Sequence, residues 1–394
     1  MKKLYFNKIT PLLLLIFITA GCTEQYVIQT NTFEEALVVE ATITNELKKQ
    51  QIKISKTYRF EENGPTFESG VEVFITDDTG NKFEFEEQSD IYISKLEFKA
   101  VPDRKYQLHI ITNDGRSYTS STEILPTENK IESIIPTVET IEGQRGVQIN
   151  VNSYDPSRTS KYYRYEYEET YKIIAPRWVY QKAVVTGPQE VSIVPRTEEA
   201  HTCYGTKNSN DIILTNTAGS NEDRVHFPVR FISNQDYIIT HRYSILVRQY
   251  VQSLAAHTYY KTLKKISASG SILSPTQPGF FYGNLRSEDN PNEKIIGFFE
   301  VSSVSSKRMF FNYADLFPRE HLPPYYTECE QIPLRFCFGP SESCRGDDII
   351  DYINSNTLVL YYRDYLTNVY YLFPTPCGDC SSFSSNIKPL FWEN

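Results

Sequence analysis

Cys22 is the residue whose type and position carry the clearest chemistry in this chain. It follows Thr19-Ala20-Gly21, small residues that close a short export signal with Lys2, Lys3 and Lys8 as its positive n-region and Leu12 through Ile18 as its apolar run. That run is too short to cross a bilayer. A cysteine directly after Ala-Gly is what a lipobox requires: the thiol takes a diacylglycerol, the chain is cut after Gly21, and acylated Cys22 becomes the mature N-terminus. Lipidation of Cys22, and attachment to a lipid bilayer through that acyl anchor, are therefore expected.

Six cysteines remain for other chemistry: Cys203, Cys329, Cys337, Cys344, Cys377 and Cys380. An even count in an exported chain points to disulfides. Cys377-Gly378-Asp379-Cys380 has the spacing of a redox pair or of half a zinc site, but no thioredoxin-type helix follows it, and neither a second C-x-x-C nor a histidine pair completes a tetrahedral site. The spacing of Cys329, Cys337 and Cys344 suggests that two of them close a loop while the third reaches Cys203 or the terminal pair. No metal and no cofactor are assigned.

Catalytic motifs are missing from the sequence. The histidines (His109, His201, His226, His241, His257 and His321) stand in no metal or triad pattern, and neither a G-x-S-x-G elbow nor a Gly-rich loop opening a helix occurs. Acidic pairs such as Glu61-Glu62, Asp77-Asp78, Glu86-Glu87 and Asp347-Asp348 read as solvated loop charges. No catalytic residue is named. The candidate ligand contacts are aromatic loop residues, Phe280, Phe281, Tyr282, Tyr325 and Tyr326, which would stack on sugar or peptide. The plainer alternative is that they fill the core between disulfide-rich loops.

The elements that must position these residues are strands. Tyr and Phe are abundant (29 and 23) against 2 Met, and Val, Ile and Thr alternate with polar residues. The expected fold is mainly β, an immunoglobulin or fibronectin-like sandwich followed by a larger β-rich domain with one helix and a disulfide-rich C-terminal region. Residues 1–21 form the signal, 22–32 a tether, 33–126 the sandwich and 127–394 the second domain. Seven short strand candidates lie in the first domain: Ala36 to Thr44, Gln51 to Arg59, Val71 to Asp77, Lys82 to Glu86, Ile91 to Ser94, Lys105 to Thr112 and Arg116 to Thr122. Its inner face is read as Leu37, Val39, Val71, Val73, Ile75, Tyr106, Leu108 and Ile110. Pro126 to Pro136 is a linker or an entry strand. In the second domain Tyr163-Arg164-Tyr165-Glu166-Tyr167-Glu168 separates an aromatic from a charged face, and Ser253 to Ile266 is the best helix, with Ala255, Tyr259, Leu263 and Ile266 on its packed stripe.

The formal charge is −9, and loss of the three signal lysines makes it more acidic, which excludes a nucleic-acid partner. Several separated segments carry a likeness: Leu37 to Asn45, Tyr106-Gln107-Leu108 with Asp114-Gly115-Arg116-Ser117-Tyr118, Arg242 to Tyr250, Gly283-Asn284, Ile296-Gly297-Phe298-Phe299, and Cys377-x-x-Cys380 followed by Lys388-Pro389-x-Phe391-Trp392. In these the chain resembles the domain of unknown function 4249 family of Bacteroidota lipoproteins. The resemblance brings no established activity. It implies an outer-membrane lipoprotein that works beside a TonB-dependent outer-membrane transporter. The expected role is that of a binding or assembly module; the alternative is a carboxylate-based hydrolase of an envelope polymer.

Alkylating the exported protein without reductant is expected to label none of the six cysteines after Cys22. Two labelled thiols, or one zinc per chain by mass, would refute the disulfide reading.

Overall fold

The computed structural model describes residues 35–58, 64–268, 282–336 and 348–393, and there the chain is mainly β. Alternation in the sequence becomes inward and outward facing in the strands. Glu72–Asp77 buries Val73 and Ile75, while Lys105–Ile111 buries Tyr106, Leu108 and Ile110, and the two strands pair with Ile75 opposite Leu108 and Val73 opposite Ile110. Strand Lys82–Gln88 turns the corner of this first sandwich. Its first half pairs with Glu72–Asp77 and its second with Ile91–Ser94. At the Asp78 to Asn81 turn, Gly80 takes φ +89° and the Asp77 carboxylate accepts the backbone N–H groups of Thr79 and Asn81, both at 3.0 Å. Desolvation would raise the Asp77 carboxyl, but hydrogen bonds from Asn81 and Thr79 together outweigh it and hold its pKa down to about 2.

The expected inner-face residues all lie in the first core, and residues from far along the chain join them: Leu285, Ile295, Phe299 and Val301. The link is one strand, Ile295–Asn312. Its first part runs parallel to Leu37–Thr44, from Ile295 beside Leu37 to Ser302 beside Thr44. Its second part runs antiparallel to Arg242–Gln252, from Ser303 opposite Val251 to Asn312 opposite Arg242.

That second part belongs to another sandwich. Strands Thr202–Asn208, Tyr162–Ile174, Arg242–Gln252 and Ile295–Asn312 form one layer, and Ile131–Ile141, Gln144–Asp155 and Asp223–Ser233 form the other. Between them lie Ile134, Val147, Ile149 and Val151 from the smaller sheet and Tyr163, Tyr165, Tyr243, Ile245 and Val247 from the larger. The segment read as a linker or entry strand is therefore strand from Ile131 onward. A satellite unit holds a third, small core of Val191, Ile349, Leu358, Leu360, Tyr370 and Leu372, with sheet order Ile332–Leu334, Val369–Pro374, Leu358–Asp364.

The long helix is Leu254–Ala268, and Ser253 Oγ accepts the Ala256 N–H at 3.1 Å as its cap. Its packed stripe shares Tyr259 and Leu263 with the expected one and differs at its edge. Ala255 is exposed, whereas Ala256, Tyr259, Tyr260 and Leu263 pack on Phe298. Tyr259 and Leu263 therefore pack as expected, while Ala256 takes the place of Ala255 because the strand beneath selects the edge of the covered face. Three short helices, Tyr313–Leu316, Asp348–Asn354 and Thr375–Gly378, join it among the described residues.

Leu108 is fully buried, so Leu108→Ala is expected to lower stability by about 2–5 kcal/mol. Gln107 faces the other way and donates to Ser120 O at 2.8 Å, so Gln107→Ala is expected to cost about 1 kcal/mol. Urea unfolding of both variants checks this, and a larger loss at Gln107 would contradict the register.

Candidate functional site

Two disulfides organise the C-terminal region. The C-x-x-C pair does not close on itself: Cys377 bonds Cys329, and Cys380 bonds Cys203. Of the three locally spaced cysteines, Cys329 thus reaches the terminal pair. Cys337 and Cys344 lie outside the described residues, as do Cys22, Phe280 and Phe281. The bridge from Cys203 staples the chain end to the edge strand Thr202–Asn208, where Tyr204 N–H also bonds Ser385 O at 2.7 Å and Trp392 packs edge-on against Tyr204.

These staples fix two aromatic groups. Tyr325 donates its hydroxyl to Pro376 O at 2.8 Å and, with Pro176, Arg177, Pro324, Thr327, Glu328 and Cys329, lines a groove of about 530 Å³. Burial, with Tyr237 and Asp379 nearby, pushes the Tyr325 hydroxyl up, so it stays a donor. Tyr326 stacks on Phe383 with centroids 4.4 Å apart and meets the edge of Tyr237 at 5.4 Å. Beside the groove, the Arg177 guanidinium covers Phe373 at 5.1 Å, and the rings continue through Tyr361 (5.2 Å from Phe373), Tyr362 (5.8 Å from Tyr361) and Tyr371, which lies parallel to Tyr362 at 4.4 Å. Tyr362 is 45% exposed.

Of the aromatic residues singled out in the sequence, the fold brings Tyr325 and Tyr326 to one surface. Tyr282, 64% exposed, sits apart, three residues before Leu285 of the first core. Tyr361, Tyr362 and Tyr371 were missed. Their signal was the pair of doublets Tyr361-Tyr362 and Tyr370-Tyr371 around a turn, a hairpin register that sets Tyr362 opposite Tyr371.

A second constellation lies where the two sandwiches meet, in a cleft of about 660 Å³ roofed by the helix Leu254–Ala268. Arg164, on the outward face of Tyr162–Ile174, donates to Glu166 and, at 3.3 Å, to Glu300, and its guanidinium lies 4.1 Å from the Tyr250 ring centre. Gln252, Ser302 and Thr42 also donate to Glu300, which is 1% exposed. Burial works against the Arg164 charge, but Glu300, Tyr260 and Glu166 outweigh it and raise its pKa. The other deeply buried glutamate, Glu169, accepts from Arg230 at 3.1 Å and from Tyr243 Oη at 2.8 Å. Residues 164 and 169 stand an odd number apart on one strand, so the two carboxylates occupy opposite faces of the sheet. Each is held by an arginine, which suits it to fixing geometry.

His109, His241 and His257 are each lowered by burial and stay neutral near pH 7. Among the described residues no three His, Cys, Asp or Glu side chains gather as a metal site. No curated protein matches the chain. The family model described as Domain of unknown function (DUF4249) matches residues 23–308, from the tether to within the strand that joins the two sandwiches. The chain belongs to the DUF4249 family.

Proposed function

We propose that the protein is a lipid-anchored binding or assembly module of the outer membrane, attached through Cys22 and accessory to a TonB-dependent transporter. The observation that carries this reading is the rigid aromatic surface held by Cys329–Cys377 and Cys203–Cys380, with ring stacks at its exposed face. Aromatic residues that are pre-positioned and lose little freedom on contact are what a recognition surface needs. Among the described residues no helix is long and apolar enough to cross a membrane, so attachment is assigned to the acyl chain. A glycosidase would need two carboxylates facing one another across a cleft, and Glu169 and Glu300 are on opposite faces with an arginine each.

Cys22→Ala is expected to move the protein from the membrane to the soluble exported fraction, since the anchor supplies its bilayer affinity. Purification of the tagged, lipidated protein from its native membrane is expected to bring a β-barrel transporter with it. Membrane retention of Cys22→Ala would overturn the anchor, and a preparation without any barrel would overturn the accessory role.

A further inference from the structure

We infer that the tyrosine face of the satellite sheet, with the groove beside it, is a binding site for a linear neutral oligosaccharide, an inference that rests on the reading of the protein as a binding module. The first argument is the rings. Tyr361, Tyr362 and Tyr371 form a continuous aromatic surface whose members are fixed by mutual contacts of 4.4 to 5.8 Å. Such rings offer flat, electron-rich faces to the C–H groups of a sugar and hydroxyls to its rim. Buried Phe373 connects Tyr361 to Arg177, which lines the groove floored by Tyr325, so the ring cluster and the groove lie side by side on one unit, as successive sugar rings would require.

Charge selects the ligand class. The groove lines one cation, Arg177, against one anion, Glu328. On the hairpin the charges are engaged internally: Asp364 accepts from Thr367 Oγ1 at 2.6 Å and from Leu366 N–H at 2.9 Å, and Arg363 donates to Asn368 at 2.6 Å while lying over the Tyr365 and Tyr370 rings. With one cation and one anion in the groove and one of each at this end of the hairpin, neither place carries a net charge that would select an anionic or a cationic polymer. A polyhydroxyl ligand needs none.

The sheet edges argue against an extended peptide. Strand addition requires a regular row of free backbone groups. One outer strand, Ile332–Leu334, has three residues and contains Pro333, which has no N–H; the other, Leu358–Asp364, is bulged between Leu360 and Tyr362. Recognition at this unit is left to the ring faces.

The test is calorimetric titration of the full-length exported protein with cellohexaose, maltohexaose, mannohexaose and chitohexaose, and separately with a mixed hexapeptide library. Saturable binding of at least one oligosaccharide is expected, weakened about tenfold in Tyr362→Ala and in Tyr371→Ala and nearly retained in Tyr362→Phe, which keeps the ring. Unchanged melting temperatures of the variants establish that the fold is intact. The inference is overturned if no oligosaccharide binds, if binding survives loss of both rings, or if the peptides bind here instead. Transporter co-purification is scored independently. A barrel that co-purifies with a protein binding no oligosaccharide leaves the accessory role standing and removes the sugar, and the converse result does the reverse.

Discussion

Two hydrophobic cores are built on one strand. Ile295, Phe299 and Val301 enter the first core and Phe311 the second, so Ile295–Asn312 is a splint whose position fixes both sandwiches at once. A strand in that role must be gripped along its whole length. Its second part has the ladder to Arg242–Gln252, and its first part has the ladder to Leu37–Thr44 on one side only. The other side is closed by a side chain: Asn284 accepts the Phe299 N–H at 2.7 Å and donates to Phe299 O at 2.9 Å, as a neighbouring strand would. The approach is so close that a Cβ on Gly283 would meet Gly297 O at 1.4 Å, and one on Gly297, at φ +147°, would meet Val39 O at 2.2 Å. Both positions therefore demand glycine.

The buried ion pair of Arg164 with Glu300 belongs to the same constraint. Removing Arg164 and Glu300 from water is costly, and a well-packed apolar pair would be at least as stable. What the charges add is direction. Arg164 comes from the second sandwich, Glu300 from the splint and Thr42 from the first sandwich, so the network holds only when the three strands are in register. Arg248 reaching Glu46 at 3.3 Å, and Asn45 Oδ1 accepting the Val304 N–H at 2.7 Å, repeat the tie across the same junction.

The parts of this fold that local alternation determines were legible. Val73 with Ile75, and Leu108 with Ile110, announce their faces because a half-buried strand has a period of two, and the Asp77 to Asn81 turn announces itself through its glycine. The splint was legible only as two short segments, Ile295 to Ser302 and Lys307 to Tyr313. Its middle, Ser303 to Ser306, is serine except for Val304, and nothing local says that one strand continues through it into a different core. The aromatic site was half legible for the same reason. Tyr325 and Tyr326 stand out as loop aromatics, but Tyr362 and Tyr371 become a surface only through a hairpin register with a bulge in it. On the helix Tyr259 and Leu263 were legible, and Ala256 rather than Ala255 joins them because Phe298, a residue of the splint, decides which side of Leu254–Ala268 is covered.

The two disulfides stand in different settings: Cys203–Cys380 lies inside the second sandwich core, whereas the loop closed by Cys329–Cys377 contains the satellite sheet. The satellite core is small beside the two sandwich cores, and a small core supplies little stability of its own. Cross-linking is most effective in that setting, because it removes freedom from the unfolded chain where burial cannot outweigh it. Cys203–Cys380 spans 177 residues and Cys329–Cys377 spans 48, so the first ties the chain end to the second sandwich and the second closes the satellite onto that end. Tyr325 lies between them, with its hydroxyl on Pro376, one residue from Cys377. The rigidity of the aromatic surface therefore follows from the cysteine arrangement, and the splitting of the C-x-x-C pair between two partners is what lets one short segment anchor both sides of it.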